Sequence, residues 1–538
     1  MRRAGSRTAA AVGAVALGLA CLTAIGGTAA AGAAVNPLLG RNSDLVWAPC
    51  QDLALVQVGA ECTFLTVPLD WTDPSGQKIQ LALSRVKATH DRQGVMLVDP
   101  GGPGASGLDM PAYLPGAVPN DVGRTYDWIG FDPRGVGSSR PALTCEADYL
   151  KGPRPAYKPA DRNSQAPNEK AWIERTEKYT KDCTTHNGAL LAHMHSTDTI
   201  RDMDAIRDAL GEARLNYYGF SYGTFLGQGY ATMFPEHLGR MVLDGNVPPT
   251  YPGYGDGGMA QMTAFQYVIS KFFGWIADND SVYHLGSTAD EVTAAYAELE
   301  NSLTAKPVDG IGPAEFDDVF LVAGYAESRW PGIAAAWADW VAGKTATIRS
   351  QYQGADHPGN DNSFAAFNAT YCTDGPFPTD YEKVRSDGYA IAAKAPLAAW
   401  GGFWFSAPCT WWPVSAATPL HIDGHKLALL ATPILLINAT HDGATPFAGA
   451  LAVRKEFPTS ALVAEVDGTT HAGSLQGNSC VDDRISAYLA TGQLPPRQSG
   501  DRADVECARR PWPQPQPSPD RSAPRPPQPE PHSPADRR

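Results

Sequence analysis

One serine in this chain stands where a serine can act as a nucleophile. Residues 215–224 read LNYYGFSYGT, a G-x-S-x-G pattern around Ser221 that follows an apolar, β-rich run and precedes a helix-like run of small residues at 225–230. A strand–turn–helix junction of this kind forces the serine into a strained conformation, and the flanking glycines avoid clashes with the adjoining strand and helix. A serine hydroxyl is a weak nucleophile near neutral pH. It needs a base to take its proton and a carboxylate to orient that base. Asp442, in NATHDGATP after the run 434–438, and His471, in DGTTHAG after the run 462–466, supply both from loops behind later strands. Their competitors fit less well. His421, His425 and His441 all precede the acid, His532 lies in a proline-rich tail, and Asp467 ends the strand that leads to His471 without a loop of its own.

Acyl transfer also needs donors for a developing oxyanion, usually backbone N–H groups. The segment 99–107, DPGGPGASG, follows an early strand and its glycines let bare backbone approach a substrate. Gly102 N–H and Tyr222 N–H are the expected pair. The related segment 132–139, DPRGVGSS, ends the next strand and is read as shaping the floor of the site.

These loops need a scaffold that delivers them to one edge. Strands are expected at 79–86, 95–99, 126–132, 215–220, 241–244, 434–438 and 462–466, apolar enough for the interior of a parallel sheet covered on both faces. A helix fits 197–210, with Ile200, Met203, Ile206 and Leu210 on one face and Gly211 as its stop. Strand and helix alternate, which implies an open α/β sheet whose site lies beyond the strand carboxyl ends. Between 248 and 419 the strand signals vanish, and Ala-, Trp- and Tyr-rich helical stretches such as 289–303 and 330–341 predict a helical lid over the site.

The 538 residues carry 57 acidic against 43 basic side chains, a net charge of −14, with no basic block. A nucleic-acid partner is thereby excluded, and no metal or organic cofactor is implied. Arg2, Arg3 and Arg7, an apolar stretch and small residues through Ala34 form the layout of a signal peptide over 1–33, with no transmembrane span in the mature chain. Export with lipidation at Cys21 is the alternative. With Cys21 removed, eight cysteines fall into four sequential couples, so disulfides are expected as Cys50–Cys62, Cys145–Cys183, Cys372–Cys409 and Cys480–Cys507. Residues 511–538 hold eleven of the 45 prolines and are expected to be a disordered tail.

The motifs DPGGPGASG, YDWIGFDPRGVGSS, LNYYGFSYGT, HDGATP and DGTTHAGS, in this order, resemble the secreted bacterial tripeptidyl aminopeptidases, α/β-hydrolase serine peptidases related to prolyl aminopeptidases. The resemblance runs from about residue 46 to 507. It implies an α/β-hydrolase fold, core segments 34–247 and 420–510 around the lid 248–419, and a triad of Ser221, Asp442 and His471 in the order Ser, acid, His. It also implies removal of short peptides, tripeptides foremost, from free N-termini, with peptides as the partners. An exopeptidase must hold the substrate ammonium, and Asp244 and Asp374 are the candidate anchors. Prolyl aminopeptidase, carboxylesterase and a catalytically silent surface-binding protein with a proline tail are the other readings.

Overall fold

The computed structural model describes residues 45–162, 165–250, 253–356 and 358–517. The expected signal peptide, Cys21 and the chain from 518 onward lie outside the described residues.

Ten strands form one sheet: β1 (Ala48–Pro49), β2 (Glu61–Pro68), β3 (Lys78–Val86), β4 (Gly94–Asp99), β5 (Tyr126–Phe131), β6 (Leu215–Phe220), β7 (Leu238–Asp244), β8 (Ile434–Ala439), β9 (Ser460–Val466) and β10 (Val505–Ala508). Their order across the sheet is β1-β2-β3-β5-β4-β6-β7-β8-β9-β10. From β5 through β4 and on to β10 every pairing is parallel. The expected parallel neighbourhood for 79–86 is corrected here: β3 runs antiparallel to both β2 and β5, and β1 to β2. The short connection after β2 returns the chain as a hairpin, which no parallel pairing could do.

Period-two alternation gives the central strands two apolar faces. Leu97, Tyr217, Leu243, Leu436 and Leu462 point to the side covered by the helices Ser196–Ala209 and Tyr222–Met233, where Ile200, Met203 and Ile206 meet them. Met96, Val98, Tyr218, Val242, Leu435 and Val463 point to the other, against Ile485, Tyr488 and Leu489 of the helix Ser479–Thr491. Residues buried on both faces explain why these strands read as near-continuous hydrophobic runs.

Between β7 and β8 the described residues form helices and no strand. The first part of this insertion has an aromatic core of its own, with Phe272, Phe273, Tyr296, Phe320, Trp330 and Trp337 packed ring against ring. The second part, around the helix Asn362–Thr373 and Trp404, shares the core of the sheet domain. It is joined there by the helix Pro167–Asn187, part of an excursion between β5 and β6. Asp361 ties the two together, accepting from Thr144, Cys145, Glu146 and Tyr179. Arg154, fully buried, donates to Glu315 at 2.6 Å and also contacts Asp318.

All four expected disulfides are present. Among the described residues no helix is long and apolar enough to cross a membrane. The expectation of a disordered tail from 511 is corrected at its start. Trp512 stacks on Trp330 with ring centroids 5.1 Å apart, and the Arg509 guanidinium lies 3.7 Å from its ring. Trp275 Nε1–H donates to the Pro513 carbonyl and Gln516 N–H to the Tyr283 hydroxyl. Prolines forbid a regular element here but not docking through an aromatic side chain and carbonyls.

This segment straps the aromatic part of the insertion to the sheet edge at β10. A chain ending at Arg510 is therefore expected to lose about 1–3 kcal/mol of stability, read as a lower Tm and faster limited proteolysis within 256–352. A chain ending at Pro517 should melt like the whole protein, and equal melting of both truncations would contradict the strap.

Candidate active site

Strand register places the site. Asp99 lies beside Gly219, Phe220 beside Asp244, and Asp244 beside Ile437, so the carboxyl ends of β4, β6, β7 and β8 form one row. The loops leaving that row carry the residues singled out from the sequence.

β6 ends at Phe220 and the helix Tyr222–Met233 follows at once, so Ser221 alone makes the turn. Its φ of 54° and ψ of −125° lie where a non-glycine residue is strained by about 1–3 kcal/mol. The surroundings hold it there: Ser221 N–H donates to the Asp244 carbonyl at 2.9 Å, and Thr224 donates to the Ser221 carbonyl through both N–H and hydroxyl. The glycines of the motif have a steric cause. A Cβ on Gly219 would lie 2.6 Å from the Gly223 carbonyl oxygen, and one on Gly223 would lie 2.7 Å from the Asp99 carbonyl oxygen.

Asp442 and His471 meet across two loops. His471 Nδ1 lies 2.9 Å from both carboxylate oxygens of Asp442, which is buried. The carboxylate is itself held: Oδ1 accepts from Ala444 N–H and Thr445 N–H, and Oδ2 accepts from the Thr445 hydroxyl at 3.0 Å. With Nδ1 carrying its hydrogen toward Asp442, Nε2 is the acceptor, and Nε2 is buried without a hydrogen-bond partner among the described residues. The imidazole rests on Gly245, where a Cβ would come within 3.0 Å of Cε1. Ser221, Asp244, Gly245 and His471 therefore form a contiguous chain of contacts. Burial alone would push the His471 pKa down, but the charge of Asp442, its hydrogen bond and the charge of Asp244 outweigh it, so the net shift is upward.

The segment 99–107 meets the turn from the side. Gly101, Gly102 and Gly104 have φ of 89°, 104° and 96°, values that favour glycine. A Cβ on Gly101 would sit 2.5 Å from the Phe220 carbonyl oxygen and 2.6 Å from the Tyr222 nitrogen. The loop thus brings its backbone at Gly101, one residue before Gly102, against Tyr222, the first residue of the helix. Asp99 fixes its entry, Oδ1 accepting from Gly101 N–H at 2.7 Å. Burial raises Asp99 to about 7, against that hydrogen bond and with the charge of Asp132 adding to the rise. Asp132, raised by burial to about 6, accepts from Ser106 and Ser138 and so braces the far end of the loop.

The two candidate ammonium anchors, Asp244 and Asp374, are buried and hydrogen-bonded within the protein. Asp244 is 1% exposed beneath the imidazole, and its Oδ2 accepts from Ser474 N–H at 2.9 Å. Asp374 is 7% exposed and accepts from Ser196 N–H at 2.8 Å and the Tyr222 hydroxyl at 2.7 Å. Both carboxylates are buried, and each already accepts from a backbone N–H.

Three contributors escaped the sequence reading. Thr445 stands within the HDGATP motif, three residues after the acid, and its hydroxyl also lies 3.2 Å from His471 Nδ1. Tyr325 accepts from His471 N–H at 2.7 Å through its carbonyl, and the buried Glu327 accepts from Thr469 N–H and hydroxyl. Both come from the insertion, far from His471 in sequence, and carry no local signal. A pocket of about 500 Å³ opens beside the acid loop, lined by Met259, Ala264, Tyr267, His441, Pro446 and Phe447 among others. No group of three or more metal-ligating side chains is found among the described residues.

Comparison with known proteins adds to this geometry. Residues 395–507 match the family model described as TAP-like protein. The chain is 34% identical over 499 residues to a tripeptidyl aminopeptidase of Streptomyces lividans, covering 90% of each. It is 32% identical over 512 residues to the serine protease Hip1 of Mycobacterium tuberculosis, covering 90% of this chain and 96% of that one. It is also 33% identical over 458 residues to a carboxylesterase B of the same organism, covering 81% and 85%.

The close approach at Gly101 yields a direct expectation. Gly101→Ala must displace main chain rather than a side chain, so the variant should fold but lose at least about 100-fold in kcat/KM toward any acyl substrate. Activity equal to the unmodified protein would show that the loop is free to move and that its contact with Tyr222 is incidental.

Proposed function

The chain belongs to the tripeptidyl aminopeptidase family of α/β-hydrolase serine peptidases, and from that membership we propose that it is a secreted exopeptidase in which Ser221, His471 and Asp442 release short peptides, tripeptides foremost, from free N-termini. The observation that carries the reading is the buried imidazole with Nδ1 held by a carboxylate and Nε2 unclaimed, linked through Gly245 and Asp244 to a serine on a strained turn. An imidazole in that state is a base waiting for a proton.

In the proposed reaction, Ser221 Oγ attacks the scissile carbonyl carbon while His471 Nε2 takes its proton. The carbonyl π pair moves onto oxygen, and Gly102 N–H and Tyr222 N–H receive the charge. As the tetrahedral species collapses, the C–N bond breaks and the imidazolium returns the proton to the leaving amine. Water then repeats the sequence on the acyl-enzyme, its proton passing through His471 and finally to Ser221 Oγ. Asp442 keeps its charge throughout and fixes the imidazole tautomer.

Export is supported by four disulfides, which persist in oxidising compartments. Removal of 1–33 takes Cys21 with it and leaves every remaining cysteine paired. Acylation at Cys21 would instead hold the enzyme at the cell surface. We propose the segments 34–247 and 420–510 as the hydrolase core and 248–419 as its lid, which covers the site and limits entry to chain ends. Carboxylesterase activity is the second reading, favoured by the relative that bears that name. The same three side chains cleave esters.

Mass spectrometry of products from an unblocked peptide of mixed sequence tests the main reading. Successive triplets from the N-terminus are expected, with no release by Ser221→Ala and no labelling of that variant by a fluorophosphonate. Internal cuts, or turnover of short-chain esters with no hydrolysis of tripeptide amides, would refute it.

The pH profile follows from the electrostatics. The base must be neutral to accept the serine proton, and its pKa is raised above the usual 6.5. kcat/KM is therefore full at high pH and should fall as pH drops through a value above 6.5. Asp442→Asn removes the largest favourable charge, so it should shift that limb downward and cut kcat by up to about 10⁴-fold.

A further inference from the structure

The contacts of Asp374 point back into the protein. It closes the C-terminus of the lid helix Asn362–Thr373, two residues after Cys372 of the Cys372–Cys409 bridge. One carboxylate oxygen accepts from Ser196 N–H at 2.8 Å, and the other from the Tyr222 hydroxyl at 2.7 Å. Ser196 Oγ lies 3.1 Å from the same hydroxyl, and His195 Nδ1 lies 3.9 Å from the carboxylate. All of these groups except His195 are buried. Tyr222 is the residue after the nucleophile, so its side chain carries this contact and its main chain offers the N–H proposed for the oxyanion.

The other end of the same lid helix reaches the other proposed donor. A Cβ on Gly104 would lie 2.8 Å from the Ser363 carbonyl oxygen and 2.9 Å from Phe367 N, so the first turns of the helix press on the glycine loop that carries Gly102. One rigid element of the insertion thus touches both halves of the oxyanion site. A roof needs neither contact: it could pack on the core through apolar side chains alone, without placing a carboxylate at the one tyrosine next to the nucleophile.

We propose that Asp374 is a positioning residue, and that through it the lid helix Asn362–Thr373 sets the spacing between the Gly102 and Tyr222 N–H groups. The lid is then part of the machinery that stabilises the transition state, not only a cover. This rests on the reading of Ser221 as nucleophile. Deletion of the contact should lower the rate of bond breaking and leave ground-state binding alone, because the N–H pair is called on only when charge develops on the carbonyl oxygen.

The test compares Asp374→Asn, Tyr222→Phe and the double variant with the unmodified enzyme on a tripeptide amide. kcat is expected to fall about 10- to 100-fold with KM within twofold. Affinity for a tripeptide aldehyde, whose adduct places an oxyanion in the site, should fall by the same factor as kcat/KM. Affinity for the product tripeptide should not change, and the double variant should be no worse than the poorer single one. Asp374→Asn, which preserves shape, carries the test where Tyr222→Phe does not fold, with thermal melting as the check. Unaltered kcat in a folded variant, or an equal loss of product and aldehyde affinity, would overturn the proposal. Ser221→Ala distinguishes the two levels: if it retains activity the nucleophile reading fails, whereas an inactive Ser221→Ala beside fully active Asp374 and Tyr222 variants sinks only the positioning role.

Discussion

Gly101, Gly219 and Gly223 let three segments of main chain cross at contact distance, with no side chain between them. Everything at the carboxyl edge of the sheet follows from that crossing. It lets the helix Tyr222–Met233 start directly off the central strand β6, which leaves Ser221 no conformation but the strained one. It also brings the loop after β4 against the helix N-terminus, where exposed N–H groups and the helix dipole favour negative charge. Any Cβ at the crossing would push Ser221 and the helix start away from the loop after β4.

Much of this was legible because it is local. The turn at Ser221, the strands on either side and the glycine loop each occupy fewer than ten residues, and their motifs state backbone requirements directly. Asp442 and His471 could be read as well, since each follows an apolar run by a few positions. The antiparallel placement of β3 was not legible: a strand buried on both faces looks the same in either direction, and direction is set by the connection. The excursion carrying the helix Pro167–Asn187 was missed because it docks through scattered aromatics, Trp172 and Tyr179 among them, rather than through a sustained stripe. What Asp244 and Asp374 bind was not legible, for a general reason. Carboxylates beside a site in sequence terms include ones that anchor backbone, and only their hydrogen-bond partners tell the two kinds apart.

The insertion and the histidine loop are one mechanical unit. His471 N–H is held by the Tyr325 carbonyl and Thr469 by Glu327, both from the insertion, while the acid that orients the ring belongs to the core. The His471 backbone is therefore held by the insertion and its ring by the core. Displacing the aromatic part of the insertion would disturb the backbone that positions the imidazole.

Among the described residues the four disulfides join each cysteine to the next one along the chain, at separations of 12, 38, 37 and 27 residues. No bridge encloses another. A polypeptide threaded through a membrane pore N-terminus first would present these thiols two at a time, each with its native partner as the next to arrive. Oxidation in order of emergence then gives the correct set without reshuffling, so the chain's covalent topology is compatible with maturation in a compartment that has an oxidant but little isomerase.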